Sequence, residues 1–360
     1  MASLSIGESS QAPARAISAR RQIAAWLAAV AVLLLAMILL GGLTRLTQSG
    51  LSITEWKPLT GAVPPLSAEA WTQEFAKYQQ IPEFRSIHAD FTLDDFKSIY
   101  WWEWAHRLLG RLIGFVFLLP LLYFVATGRV ERRLVPRLVL LFLLGGLQGA
   151  LGWFMVKSGL SVRTDVSQYR LAAHLITAFA IYGAVLWTLF DLIRPQRETT
   201  AKSGALRGAS FAFVGLLALQ IVLGALVAGL DAGWSYNTWP LMDGGLFPEN
   251  PGVLAPWYEH LLDNRGVVQF LHRMAAYLVF GAALWQWLSA KKKLGDAAPA
   301  ARSAGLVLGL VAVQIVLGIA TLLAAVPVPL GAAHQLTAAL LFGAAVYHAH
   351  GVSAATSPER

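Results

Sequence analysis

Eight stretches of this 360-residue chain are long and apolar enough to cross a bilayer: 23–46, 104–126, 136–157, 169–193, 208–230, 266–289, 303–325 and 331–350. A membrane helix needs roughly 20 such residues. In hydrocarbon every backbone N–H and C=O must find its partner inside the segment, which a helix achieves. The expected fold is therefore an all-α polytopic membrane protein with eight transmembrane helices. Only 13% of the residues are charged, about half the share of a soluble domain. That excludes a soluble enzyme and a disordered chain. The first stretch is too long for a signal-peptide core and has no clean cleavage site, so it is expected to remain as the first span.

The net charge of +8 reads as topology and not as a nucleic-acid surface. One side carries Arg15, Arg20, Arg21, Arg129, Arg132, Arg133, Arg137, Arg194, Arg197, Lys202, Arg207, Lys291, Lys292, Lys293, Arg302 and Arg360, against Glu8, Glu131, Asp191, Glu198, Asp296 and Glu359. Basic residues mark the cytoplasmic side, so both termini are expected there. The other side holds two long loops, 47–103 and 231–265. The first contains an amphipathic stretch, Ala68–Tyr78, expected on the membrane interface. The aromatic run Tyr100-Trp101-Trp102-Glu103-Trp104 stands where an interfacial belt belongs.

The chain repeats. At a shift of 166, His106-Arg107 falls on His272-Arg273, Gln148 on Gln314 and Gly152 on Gly318. At 160, Ala172-Ala173-His174 falls on Ala332-Ala333-His334. At 183, Gly41, Gly50, Trp56, Gly61 and Pro65 fall on Gly224, Gly233, Trp239, Gly244 and Pro248. The unit is four helices used twice. Four is even, so the copies share one orientation, unlike inverted repeats. Two pseudo-symmetric four-helix bundles, 23–193 and 208–350, are expected, with tails 1–22 and 351–360 and a linker 194–207.

Histidines inside spans are costly and point to function. His106, His174, His272 and His334 lie at one depth, near the loop-bearing end, one in each even-numbered span. Two imidazoles from facing helices suit axial ligation of one haem iron, which gives one haem-sized site per half. Arg107 and Arg273 stand where haem propionates would lie, and Gly110 and Gly114 leave room for a flat macrocycle. The plain alternative is four hydrogen-bonded bundle histidines. Zinc competes poorly, because no carboxylate or thiolate is shared by both sites. His88 and His260, in the loops, and His348 and His350, at the opposite end, are expected in ordinary structural or surface roles.

The halves differ at one telling position. Glu103, three residues before His106, has Gln269 as its repeat partner. A carboxylate beside one site and an amide beside the other suggest that the first site does chemistry while the second holds a permanent redox cofactor. Glu103 is the candidate proton acceptor, and an ion pair with Arg107 or Arg111 is its plain alternative.

The segments GGLTRLTQSGLSITEWKPLTGAVPP (41–65), EWAHRLLGRLIG (103–114), AAHLITAF (172–179), NTWPLMDGGLFP (237–248), QFLHRMAAY (269–277) and AAHQLTAALLF (332–342) resemble the haem A synthase family over roughly residues 23–350. The resemblance implies oxidation of the C8 methyl of haem O to a formyl group. It implies haem b held by His272 and His334, with Arg273 beside it. It also implies substrate haem bracketed by His106 and His174, with Arg107 beside it and Glu103 as catalytic carboxylate. Some family members carry cysteine pairs in their outer loops. This chain has no cysteine, which fits the branch found in proteobacteria and mitochondria, and the short charged N-terminus favours a bacterial inner membrane. The expected partners are the bilayer, haem O, an electron acceptor, a haem O synthase and a second copy of the chain, with no nucleic acid. A di-haem b electron-transfer cytochrome is the competing reading. A transporter is a weaker one, because the ionisable groups cluster near one surface.

Overall fold

A computed structural model describes residues 11–58, 60–161, 163–193, 206–248 and 252–353. The described residues form helices and no named strand. Eight helices are long and apolar enough to span a membrane: α1 (Gln11–Leu46), α4 (Leu93–Ala126), α5 (Val135–Val156), α6 (Gln168–Ile193), α7 (Arg207–Gly229), α9 (Arg265–Leu294), α10 (Pro299–Leu323) and α11 (Val328–Val352). Three shorter helices, α2 (Ala68–Tyr78), α3 (Pro82–Ser86) and α8 (Trp257–Leu262), lie in the two long loops. Among the expected inner-side charges, Glu8, Arg194, Arg197, Glu198, Lys202, Glu359, Arg360 and the Arg15 side chain lie outside the described residues.

Local chemistry sets the helix ends. α9 starts where the Asn264 side chain accepts from the N–H groups of Gly266 and Val267, and it stops at Gly295, whose φ is 88°. α10 has Pro299 in its first turn, where a missing N–H costs nothing. α4 begins at Leu93, well before the 104 that hydropathy suggests. Thr92 and Asp95 close a capping box there, and the added turns are amphipathic. Phe96 and Tyr100 from those turns face Trp71, Phe75 and Tyr78 of α2. Both, with Ile99, Leu51 and Ile53, belong to a loop-side core. The apolar face of α2 is therefore covered by protein instead of being left for lipid as the sequence suggested. Trp101 and Trp102 remain exposed, as an aromatic belt requires.

Within the first half α1 packs on α4, α4 on α5, α5 on α6 and α6 on α1; within the second, α7, α9, α10 and α11 close the corresponding ring. Between the sets α1 meets α11, α6 meets α7, and α6 meets α11. These contacts are compatible with two four-helix bundles about an axis passing between α6 and α11. Arg45 and Asp231 join the sets near the loops, 2.6 Å apart. At the opposite end Arg20 donates to the carbonyls of Asp191 and Leu192, which closes the C-terminus of α6.

Candidate haem sites

Each of the four span histidines faces a glycine of the preceding long helix. A Cβ built on Gly41 would stand 3.4 Å from His106 Nε2. On Gly152, Gly224 and Gly318 it would stand 3.0, 3.1 and 3.0 Å from Cε1 of His174, His272 and His334. Each ring thus stands against bare backbone, and at Gly152, Gly224 and Gly318 a side chain would crowd it. One turn inward from the histidines come Gly110, Ala178, Ala276 and Ala338, again small. Gly114, expected to clear space for a macrocycle, has nothing within 4 Å of its added Cβ.

One turn before three of these glycines stands a glutamine. Gln148 Nε2 donates to the His174 carbonyl at 2.8 Å and lies 3.5 Å from its Nε2. Gln220 Nε2 lies 3.1 Å from Nδ1 of His272 and donates to its carbonyl. Gln314 Nε2 lies 3.2 Å from both ring nitrogens of His334. The Oε1 atoms of all three glutamines are buried without a partner, as is Nδ1 of His174. Buried polar atoms are normally satisfied, so these orphans mark a site shaped for something more than the bare chain. A cavity in the second half, among α7, α9, α10 and α11, is lined by Gln220, Gln314, Ala276, Ala338, Leu217 and Phe342. The donor set, imidazoles with small flanking residues and orphan acceptors, suits a planar iron macrocycle, while the cavity itself, about 50 Å³, is smaller than one, so the helices must part to admit it.

Beside the first site, Glu103 is 2% exposed. Its Oε1 accepts from Arg107 at 2.5 Å, and its Oε2 accepts from the Ser52 hydroxyl and the Ile53 N–H, both at 2.7 Å. Arg107 also donates to the carbonyls of Ile53 and Glu55. In the second half Arg273 donates to the carbonyls of Tyr236 and Thr238 and to Gln269 Oε1. Tyr236 and Thr238 are the repeat partners of Ile53 and Glu55, so the two arginines clamp equivalent loop carbonyls. The propionate role expected for them competes with this structural use. Arg273 Nε nevertheless remains buried and unpartnered. Arg111 adds bonds to the carbonyls of Lys57 and Pro58. With Arg107, Lys57, Gly61, Glu74 and Tyr100 it lines a cleft of about 240 Å³ above the first half.

The four other histidines sit elsewhere. His88 is buried, contrary to the surface role expected of a loop residue: its Nδ1 lies 2.6 Å from the Tyr78 hydroxyl, which bonds Glu83 at 3.2 Å. Burial pushes the Glu83 carboxyl up to about 8 and the Tyr78 phenol higher still, and holds His88 below the usual imidazole range. His260 is half-buried in α8. His348 bonds Ser303 at 2.8 Å, and His350 lies 3.0 Å from Asp191, which also pairs with Arg137. Those two are structural, as the sequence suggested.

A family model described as cytochrome oxidase assembly protein, COX15-CtaA, matches residues 24–346. A protein named Heme A synthase from Parvibaculum lavamentivorans is 52% identical over 328 residues, covering 91% of this chain and 93% of its own. Those of Rhizobium meliloti and Chelativorans sp. are 50% and 51% identical, covering 92% and 90% of this chain and 90% and 89% of their own.

Proposed function

The chain belongs to the COX15-CtaA family of cytochrome oxidase assembly proteins, and we propose that it is a haem A synthase of the inner membrane of a bacterium, with the loop-bearing end and both haem sites on the outer side. The observation that supports this reading best is the repeated constellation of histidine, facing glycine and small neighbour, four times over, in a chain about half identical to relatives carrying that name.

On this reading His272 and His334 hold haem b in the second half. Haem b supplies one-electron redox chemistry when bound. His106 and His174 receive the substrate, haem O, in the first half. Its methyl group would pass four electrons, in two two-electron steps, to an external electron acceptor and take up one water-derived hydroxyl at each, giving an alcohol and then a hydrated aldehyde that loses water. Fixing the substrate's plane and rotation is the chief contribution the polypeptide can make to such a reaction. His106 and His174 set the plane. Glu103, one turn from His106, offers the carboxylate that receives a proton beside the reacting methyl. In the second half the same position holds Gln269, which cannot take a proton, and that suits a site that only carries electrons. Arg107 and Arg273 keep the loops closed over both sites and so exclude water, and the Arg273 Nε remains available to a propionate. An electron acceptor and a haem O synthase are the expected partners.

The competing reading is a di-haem b electron-transfer cytochrome, which needs four histidines but no Glu103/Gln269 difference. Extraction of the bound pigments with acidified acetone and identification by mass separates the two. Haem b together with haem O, haem A or a hydroxylated form between them supports the synthase, whereas two copies of haem b and nothing else overturns it.

A further inference from the structure

Three of the four histidines are met by a glutamine in the sequence pattern Gln-x-x-x-Gly: Gln148 with Gly152, Gln220 with Gly224 and Gln314 with Gly318. The fourth copy of the pattern, in α1, reads Met37-x-x-x-Gly41. Gly41 keeps its place against His106. Met37 does not supply an amide: its methyl lies 3.6 Å from a Cβ built on Gly110, the small residue one turn from His106.

A thioether is at most a weak acceptor, whereas an amide oxygen is a full one. An imidazole that binds a metal through one nitrogen has an N–H to donate from the other. The acceptor it finds fixes the ring's tautomer and orientation and raises its basicity as a ligand. Gln148, Gln220 and Gln314 each hold the amide against the histidine with Nε2 nearest the ring, and each Oε1 is buried without a partner, so rotation of the amide presents that acceptor to a ring N–H. His106 has only Met37 at that position.

We propose that Met37 is a positioning residue that makes His106 the weakly held ligand of the four, so that the first half releases its haem while the second half keeps it. This rests on the reading that the first half receives substrate and the second holds a resident cofactor. The difference then follows the demands of each site. A resident group profits from two supported ligands, here His272 with Gln220 and His334 with Gln314. A substrate that must leave as product after each turnover needs one ligand that yields, and His174 with Gln148 still fixes its plane.

The test uses the full-length protein purified with its pigments. Loss of each pigment to excess apomyoglobin is followed over time and resolved by mass. The parent is expected to lose the haem O-derived pigment faster than haem b. Met37→Gln, a change between unbranched side chains of similar length, should slow that loss at least about tenfold, in line with the 10–100-fold effect of such supporting residues, and should sharpen the low-spin spectrum of the first-half haem. Met37→Leu should behave as the parent. The reciprocal Gln314→Met should speed the loss of haem b by a similar factor, and it reads the proposal even if Met37→Gln fails to fold. Unchanged release in Met37→Gln together with retained haem b in Gln314→Met would overturn it. Finding haem b alone in both halves would overturn the underlying functional reading instead, and the masses report that separately.

Discussion

Glu103 and Gln269 occupy the same place in the two halves, yet they bond their loops with opposite polarity. Glu103 accepts from the Ile53 N–H and the Ser52 hydroxyl, while Gln269 donates to the carbonyls of Ala232 and Ser235. Only the third bond, from the arginine one turn on, is shared. The carboxylate in the first half is therefore built into the loop's fold as well as into the site, and exchange for an amide sets an NH2 group against a backbone donor.

Glu103→Gln should retain haem b and lower formyl product at least about 100-fold, the usual contribution of a proton-transferring side chain. Ser52→Ala removes one donor, leaves the carboxylate, and should keep most of the product. Pigment masses check both. Full haem A production by Glu103→Gln removes Glu103 from the chemistry.

The glycine walls give a local test. Gly318→Ala sets a methyl 3.0 Å from His334 and Gly152→Ala one 3.0 Å from His174. Each should weaken haem retention roughly tenfold, and only in its own half. Gly114→Ala, with open space around it, should change neither pigment.

The two arginine clamps should differ in stability. Arg107→Ala strands the buried Glu103 charge and should cost about 3 kcal/mol or more. Arg273→Ala strands only the neutral Gln269 and loop carbonyls, at about 1–3 kcal/mol. Thermal unfolding in detergent, with pigment loss followed in parallel, measures the difference. Equal losses would contradict the charged-against-neutral account.

The loop-side core should soften in alkali. Glu83 has its folded pKa raised to about 8 by burial, so the folded state binds its proton more tightly than the unfolded chain does. That stability is complete below the ordinary carboxylate range and disappears as pH rises through about 8. Proteolysis within residues 47–92 should therefore accelerate as pH rises from about 5 to about 8 and level off above that. Glu83→Gln, which carries no titrating proton, should flatten the profile.

Hydropathy and charge locate all eight spans, since membrane helices announce themselves by length. They fail at the start of α4, where the outer turns are amphipathic and their partner α2 comes from a distant stretch of chain. The same long-range packing buries His88 against Tyr78, and no local pattern around His88 signals it. Shifted alignment places Gln148 on Gln314 and Gly152 on Gly318, but only the folded helix pairs show that these residues face histidines. The Gln-x-x-x-Gly pattern and its Met37 exception stand in the sequence throughout; the signal is a repeat of helix pairs within the repeat of four. The clamping role of Arg107 and Arg273 is not readable that way, because it depends on how the loops fold back onto α4 and α9.

The central claim is the division of labour between the halves, and paired histidine variants test it most directly. Pigments extracted from His272→Ala/His334→Ala and from His106→Ala/His174→Ala are to be identified by mass. The first variant is predicted to lose haem b and keep haem O-derived pigment, and the second to keep haem b and lose the other. Loss of the same pigment from both, or the reverse pairing, would contradict the account.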